Sequence, residues 1–223
     1  MRNSVFALLL AAFMSAPAVG AETVRQIPPP LVDDAPGQPG SSATAVLAGG
    51  CYWGVQGLFE HVKGIERVAA GYSGDFSNND SGSLITTLTP AESVEITYDP
   101  SKITYGKILQ IYFSVIHDPT EKDRQGPDVG PQYRSDVFPN SDEQEKIVQA
   151  YIKQLGAAGI YPAPIVTRID RFHRFVKAKP SEQDVMRNHA DMAYVAVYDT
   201  PKLAELKRMF PELYLEQGLT YSD

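Results

Sequence analysis

Thr44-Ala45-Val46-Leu47-Ala48-Gly49-Gly50-Cys51-Tyr52-Trp53-Gly54-Val55-Gln56-Gly57-Leu58-Phe59-Glu60-His61-Val62-Lys63-Gly64 reads as a strand, a turn and a helix in succession. Ala45 to Ala48 is a short unbroken apolar run, the pattern of a buried strand, and Val55, Leu58, Phe59 and Val62 then recur at helical spacing until Gly64. Between them Gly49-Gly50 lets the backbone turn sharply at little steric cost. Cys51, the one cysteine in the chain, stands at this junction. Two readings compete for it. A free cysteine is ordinarily a small buried hydrophobe. A sulfur at a helix N-terminus instead meets unpaired N–H groups and the positive end of the helix dipole, which favour the reactive thiolate.

Outward from that stretch, Ile65 to Tyr72 reads as a second strand, Ser73 to Ser83 as polar and turn-rich, and Val94 to Tyr98 as an alternating, half-buried strand. Thr104 is placed to cap a helix whose apolar face includes Ile108, Leu109, Ile111, Tyr112 and Val115. After a polar loop from His117 to Arg134, Ser141-Asp142-Glu143-Gln144 offers a capping box for a helix ending near Gly156. Ile165 to Asp170 and Tyr194 to Tyr198 read as further strands, and Thr200-Pro201 opens a last helix with proline at its favoured first position. Strands and helices mix without strict alternation. The expected fold is α+β, a two-layer sandwich with a mixed central sheet and helices packed against it.

The ends of the chain read differently. Residues 1–21 carry Arg2, an apolar run from Val5 to Met14 and small residues before Glu22, which is the layout of a cleaved secretory signal. Residues 22–43 are rich in proline, glycine and serine and are expected to form an extended linker; one folded domain follows over 44–217, with a short tail at 218–223. Export, to a periplasmic or extracellular destination, puts the lone cysteine in an oxidising compartment with no internal partner. It is therefore inert, paired with another chain, or reactive. The net charge is −7, with 20 Lys and Arg against 27 Asp and Glu, and no compact basic motif argues for nucleic acid as a partner. No second long apolar run follows the signal, so no stable membrane insertion is expected after its removal, and a monomer is expected.

Three further positions are candidates for chemistry. Glu92 shares strand parity with Val94, Ile96 and Tyr98, which would turn its carboxyl towards the apolar face; desolvation there raises a carboxyl pKa until it holds a proton near neutrality. An ordinary solvated glutamate ahead of a strand is the competing reading. In the loop from Asp123 to Ser135, Asp128 either closes an Asx-turn or serves a site, and Tyr133 is either a core aromatic or a hydrogen-bond donor. His61, His117, His173 and His189 lack metal-ligand spacing, and there is no glycine-rich phosphate loop, so neither a metal nor a bound cofactor is expected.

Taken together, Gly50-Cys51-Tyr52-Trp53-Gly54, Ala69-Ala70-Gly71-Tyr72-Ser73-Gly74, Ala91-Glu92 with Val94 to Pro100, and Gln125-Gly126, Asp128 and Gln132-Tyr133-Arg134-Ser135 form four ordered blocks. This arrangement resembles peptide methionine sulfoxide reductase of the A type, from about Thr44 to Leu215. The resemblance implies thiol-dependent reduction of methionine S-sulfoxide, free or in oxidatively damaged exported proteins. It makes Cys51 the nucleophile, Glu92 the acid that protonates the departing oxygen, Tyr133 a donor to that oxygen, and Asp128 a residue that orders the loop. Tyr52 and Trp53 match the aromatic pair that lines the methyl pocket. The product on the enzyme is a Cys51 sulfenic acid. With no second cysteine, an external thiol must restore it: a thioredoxin-like or glutaredoxin-like protein, or glutathione.

The chain also departs from that pattern. Leu88-Thr89-Pro90-Ala91-Glu92 replaces the family's Thr-Gly-His-Ala-Glu, and Lys179-Pro180-Ser181-Glu182-Gln183 replaces Glu-x-Tyr-His-Gln. A second pocket tyrosine has no match over Asp80 to Ser83, which leaves Glu92 and Tyr133 to stabilise the oxygen. Those losses motivate one alternative, a non-catalytic module that binds oxidised methionine; a one-cysteine thiol peroxidase, which leaves Trp53 and Glu92 unexplained, is a third reading.

Overall fold

A computed structural model of the protein describes residues 24–74 and 89–221. The expected signal at 1–21 and most of the turn-rich stretch Ser73 to Ser83 lie outside them. The element order is β1 (Ala43–Gly49), α1 (Tyr52–Glu60), β2 (Ile65–Ser73), β3 (Ala91–Tyr98), α2 (Tyr105–Ile111), β4 (Arg124–Gln125), β5 (Asp128–Val129), β6 (Ser135–Val137), α3 (Asp142–Ala158), β7 (Arg168–Ile169), β8 (Phe175–Lys177), α4 (Val185–Asn188) and α5 (Thr200–Met209). Six strands form one mixed sheet in the order β7-β6-β1-β3-β2-β8, antiparallel except for the β6–β7 pair, while β4 and β5 make a small separate hairpin. The two-layer α+β expectation is met.

Strand alternation explains the layering. Ala45 and Leu47 of β1, Val68 and Ala70 of β2, and Val94, Ile96 and Tyr98 of β3 face the helices in the main core, whereas Val46 and Ala48 face the other side with Phe138. Helix α1 lies across β1, β2 and β3. Its Leu58 and Phe59 are fully buried, each contributing on the order of 1.5–3 kcal/mol. The helix ends at Glu60 rather than near Gly64 because the chain's C-terminal segment pairs there. Lys63 donates its N–H to the Leu213 carbonyl at 2.7 Å, and Leu215 donates to the His61 carbonyl at 2.8 Å.

Thr104 caps α2 as expected, accepting from the Lys107 N–H at 3.2 Å. In α3 only half of the capping box forms. Ser141 accepts from the Gln144 N–H, but the Gln144 side chain accepts from Asn140 N–H at 3.1 Å and donates to the Thr44 carbonyl at 2.8 Å, fastening the helix to β1. The helix runs past Gly156 to Ala158, where Gly159 adopts the left-handed conformation that ends it.

Three expectations are corrected. Ile165 to Asp170 contributes only the two-residue β7, because this edge of the sheet meets β6 over a short register. Tyr194 to Tyr198 is helical, with a π turn over Val195–Asp199 leading directly into α5. Its β-like alternation is overridden by helical burial: Val195 and Asp199, four residues apart, are the buried pair. Pro201 has no N–H to give, and the widened turn ahead of it accommodates the lost bond. Finally, the segment ahead of β1 has no regular structure but docks closely. Ile27 is buried in the main core, Asp33 and Asp34 accept the Gly106 and Tyr105 N–H groups at the start of α2, and Tyr151 donates to the Pro28 carbonyl.

Candidate active site

The turn between β1 and α1 presents the thiol. Gly50 has φ +95°, a region L side chains avoid, and a Cβ there would meet the Gln125 side chain at 2.8 Å. Cys51 follows as the N-cap of α1 in an extended conformation, half-buried at the floor of a cleft of about 1020 Å³. Tyr72 stands opposite Glu92 in the β2–β3 register, on the face that carries Ala70 and Val94 further along the strands. Parity thus does bring the Glu92 carboxyl to the helix side, beside the start of α1. The Tyr52 N–H donates to Glu92 Oε2 at 3.1 Å, and the Cys51 thiol hydrogen-bonds the same carboxyl.

Burial holds Glu92 up at about 7 against an ordinary 4.5, while the bonds from Tyr52 and Cys51 pull the other way. Near neutrality this carboxyl is about half protonated, as an acid that must donate and then recover a proton requires. Cys51 departs from the expectation of a stabilised thiolate. Burial pushes its pKa up, the Glu92 charge adds to the effect, and the Trp53 N–H only partly offsets them. The helix terminus is present, but the sulfur sits against a carboxylate, so the resting thiol keeps its proton.

The cleft walls are aromatic. The Tyr52 and Tyr72 hydroxyls are 3.2 Å apart, with their rings edge-on at 5.6 Å. Trp53 donates its indole N–H to Glu182 Oε2 at 3.0 Å and meets Tyr194 edge-on at 6.0 Å. Tyr133 lines the cleft from a 3-10 turn over Pro131–Tyr133, and Asp128, on β5, accepts a hydrogen bond from the Tyr194 hydroxyl. Arg134 joins two of these walls. Its guanidinium donates to the Thr89 carbonyl at 2.8 Å and the Pro131 carbonyl at 2.9 Å, and is anchored by buried Asp136 at 2.9 Å. All six residues singled out in the sequence, Cys51, Tyr52, Trp53, Glu92, Asp128 and Tyr133, line this one cleft.

A family model described as peptide methionine sulfoxide reductase matches residues 43–213. The chain belongs to the peptide methionine sulfoxide reductase family. A relative from Mesorhizobium japonicum, peptide methionine sulfoxide reductase MsrA 2, is 50% identical over 80% of this chain and 92% of its own. One of the same name from Synechocystis is 39% identical over 84% and 90%. Among solved structures, methionine sulfoxide reductase A of Corynebacterium diphtheriae aligns with a TM-score of 0.52 at 28% identity over 70% of this chain and 78% of that one. Reduced Mxr1 of Saccharomyces cerevisiae shares the fold at a TM-score of 0.58 and 23% identity, over 81% and 98%.

The reductase cleft also holds residues that sequence reasoning missed. The lining includes Tyr72 and Tyr194 besides Tyr52 and Tyr133, so hydroxyl donors beyond Tyr133 are present; the stretch Asp80 to Ser83, where the family tyrosine was sought, lies outside the described residues. Tyr72 belonged to a matched block, and its position opposite Glu92 could have been found by pairing the two strands. Tyr194 was hidden by the alternation that made its segment look like a strand. The altered Lys179 to Gln183 segment remains a working wall. Gln183 bridges both backbone groups of Ala70, at 2.8 and 2.9 Å, and accepts from Gln56 at 3.0 Å, which seats Glu182 beneath the Trp53 indole. Among the described residues no group of side chains is arranged to hold a metal ion.

Proposed function

We propose that this reductase acts on the S-epimer of methionine sulfoxide through a one-cysteine cycle, with Cys51 as nucleophile and Glu92 as acid. The observation that carries the assignment of roles is the hydrogen-bonded Cys51–Glu92 pair at the floor of an aromatic cleft. The Cys51 sulfur attacks the sulfoxide sulfur and gives up its thiol proton, while protonated Glu92 delivers a proton to the sulfoxide oxygen. That oxygen passes to Cys51 as hydroxyl, leaving methionine and a sulfenic acid; the substrate sulfur is reduced by two electrons and the cysteine sulfur oxidised by two. The thiol proton returns to Glu92. The proximity of the two groups makes the exchange internal: each holds the proton that the other needs.

Tyr133 donates to the oxygen as charge gathers on it, Asp128 holds the Tyr194 hydroxyl in place, and Tyr52 and Trp53 pack the substrate methyl group. Two external thiols then convert the sulfenic acid back to thiol, releasing water and a disulfide. A thioredoxin-like or glutaredoxin-like protein, or glutathione, fits that role, because the chain has no second cysteine to do it internally. The leader over residues 1–21 supports action on exported proteins, in a periplasmic or extracellular setting.

Intact-mass measurement after mixing reduced protein with each sulfoxide epimer tests this. One added oxygen on Cys51 with the S-epimer alone, absent in Cys51→Ser, is the expected result. Equal oxidation by both epimers, or faster oxidation by hydrogen peroxide than by either, overturns it.

A further inference from the structure

The cleft is larger than its reaction needs. At about 1020 Å³ it lies at the upper end of the range for sites that enclose whole drug-sized ligands, about 300–1,000 Å³, so one methionine sulfoxide side chain leaves room for its neighbours. The charges around that space are unevenly placed. In an acidic chain, residues 168–179 hold Arg168, Arg171, Arg174, Lys177 and Lys179 against a single carboxylate, Asp170. Arg168 is paired with Asp170 at 2.5 Å, and Arg171 with Asp142 at 3.0 Å, away from the cleft. Lys177 and Lys179 are exposed and line the cleft where β8 forms its outer lip, with Lys177 Nζ 5.5 Å from the centre of the Tyr221 ring.

Among the described residues, the carboxylates that line the same cleft are engaged within it. Glu92 accepts from Tyr52 and Cys51, Asp128 from Tyr194, and Glu182 from Trp53. Lys179 forms no ion pair among the described residues. A substrate chain leaving the cleft across β8 therefore meets ammonium groups, while the acidic groups lie deeper, around the reacting side chain.

We propose that Lys177 and Lys179 form a carboxylate-binding lip, so that this reductase prefers methionine sulfoxide flanked by aspartate or glutamate. The proposal rests on the reductase reading of the same site and adds the class of peptide it takes. Rim charges act on encounter and on KM more than on the chemical step, and their effect fades as salt screens them.

The test compares blocked tripeptides with S-methionine sulfoxide between two aspartates, two alanines or two lysines. At low ionic strength kcat/KM for the aspartate peptide should exceed that for the lysine peptide by about three- to tenfold, as expected of one or two exposed ion pairs. The preference should lie mainly in KM and shrink towards unity at about 1 M salt, where the screening length is about 3 Å. K177E/K179E should reverse it, and K179E alone, which leaves the Lys177–Tyr221 contact intact, should weaken it. R171E, on the same segment but outside the cleft lining, should leave the ratio within twofold. Equal kcat/KM for the charged peptides in the unaltered protein overturns the lip, as does a preference that survives K177E/K179E or moves as far with R171E. Turnover of the alanine peptide separates the two claims: if it persists without any charge preference, the lip fails and the reductase reading stands.

Discussion

Replacing Glu92 by glutamine should separate two properties that the site couples. Glutamine keeps the size and can still accept from the Tyr52 N–H, but it has no acidic proton for the sulfoxide oxygen. Loss of general acid catalysis typically costs about 10²- to 10⁴-fold, so kcat should fall by that amount. The thiol should move the opposite way. After burial, the Glu92 charge is the largest cause raising the Cys51 pKa, so its removal should bring the thiolate within reach at lower pH. Turnover should be measured with a saturating dithiol, and thiolate formation by the rate of iodoacetamide alkylation of Cys51 between pH 6 and 10. The expected E92Q protein is a poorer reductase with a more easily alkylated cysteine. The unaltered enzyme should also lose kcat/KM as pH rises through about 7, because the protonated carboxyl is the active form, and that limb should vanish in E92Q. Turnover of E92Q within tenfold of the unaltered enzyme would refute the acid role. Alkylation that stays as slow as before would refute the coupling.

Tyr133→Phe removes one hydroxyl aimed at the cleft and should lower kcat by about 10²-fold in steady-state assays, with KM changed less, as expected for a donor used most in the transition state. Glu60→Gln should act on stability. Burial and a hydrogen bond with Asp184 hold Glu60 up at about 9 against an ordinary 4.5, so the folded state retains a proton that the unfolded state releases between those values. Folding stability from this group is full below about pH 4.5 and declines as pH rises towards 9, by up to about 1.4 kcal/mol per pH unit. The neutral amide removes that decline. Urea unfolding should therefore show a gain for E60Q that grows from pH 6 to pH 9, and a gain independent of pH would contradict the assignment.

Most of what the sequence made legible lay where one local pattern and one burial direction agreed. The strand–turn–helix around Cys51 was readable because an apolar run, two glycines and a 3.6-residue period follow one another without conflict. The direction of Glu92 was readable from parity, since β3 is regular and carries its apolar residues towards the helices, but parity left an ordinary solvated glutamate open and the family resemblance supplied the role. Tyr194 failed for the converse reason: its neighbours alternate like a strand, but the segment buries Val195 and Asp199 at helical spacing and runs on into α5. The docked segment before β1 was misread because prolines and paired aspartates resemble a solvated linker. Its contacts are made with the distant α2 and α3, through caps and carbonyls that no local window contains.

The thiol state at Cys51 is the most instructive of these differences. A helix N-terminus and a flanking N–H are local features and argue for thiolate, but they are outweighed by a carboxylate brought from β3, 41 positions along the chain. The outcome is not a disabled nucleophile. A free thiolate at the floor of a cleft would react with any oxidant that entered. In the proposed cycle, a protonated thiol bonded to the acid Glu92 is held back until a sulfoxide oxygen accepts the Glu92 proton. At that moment the carboxylate formed beside the sulfur is free to take the thiol proton, so activation of the nucleophile is tied to protonation of the substrate. For a chain that cannot shelter its oxidised cysteine in an internal disulfide, the proposed roles place selectivity for the sulfoxide in the same pair of residues to which they assign its reduction.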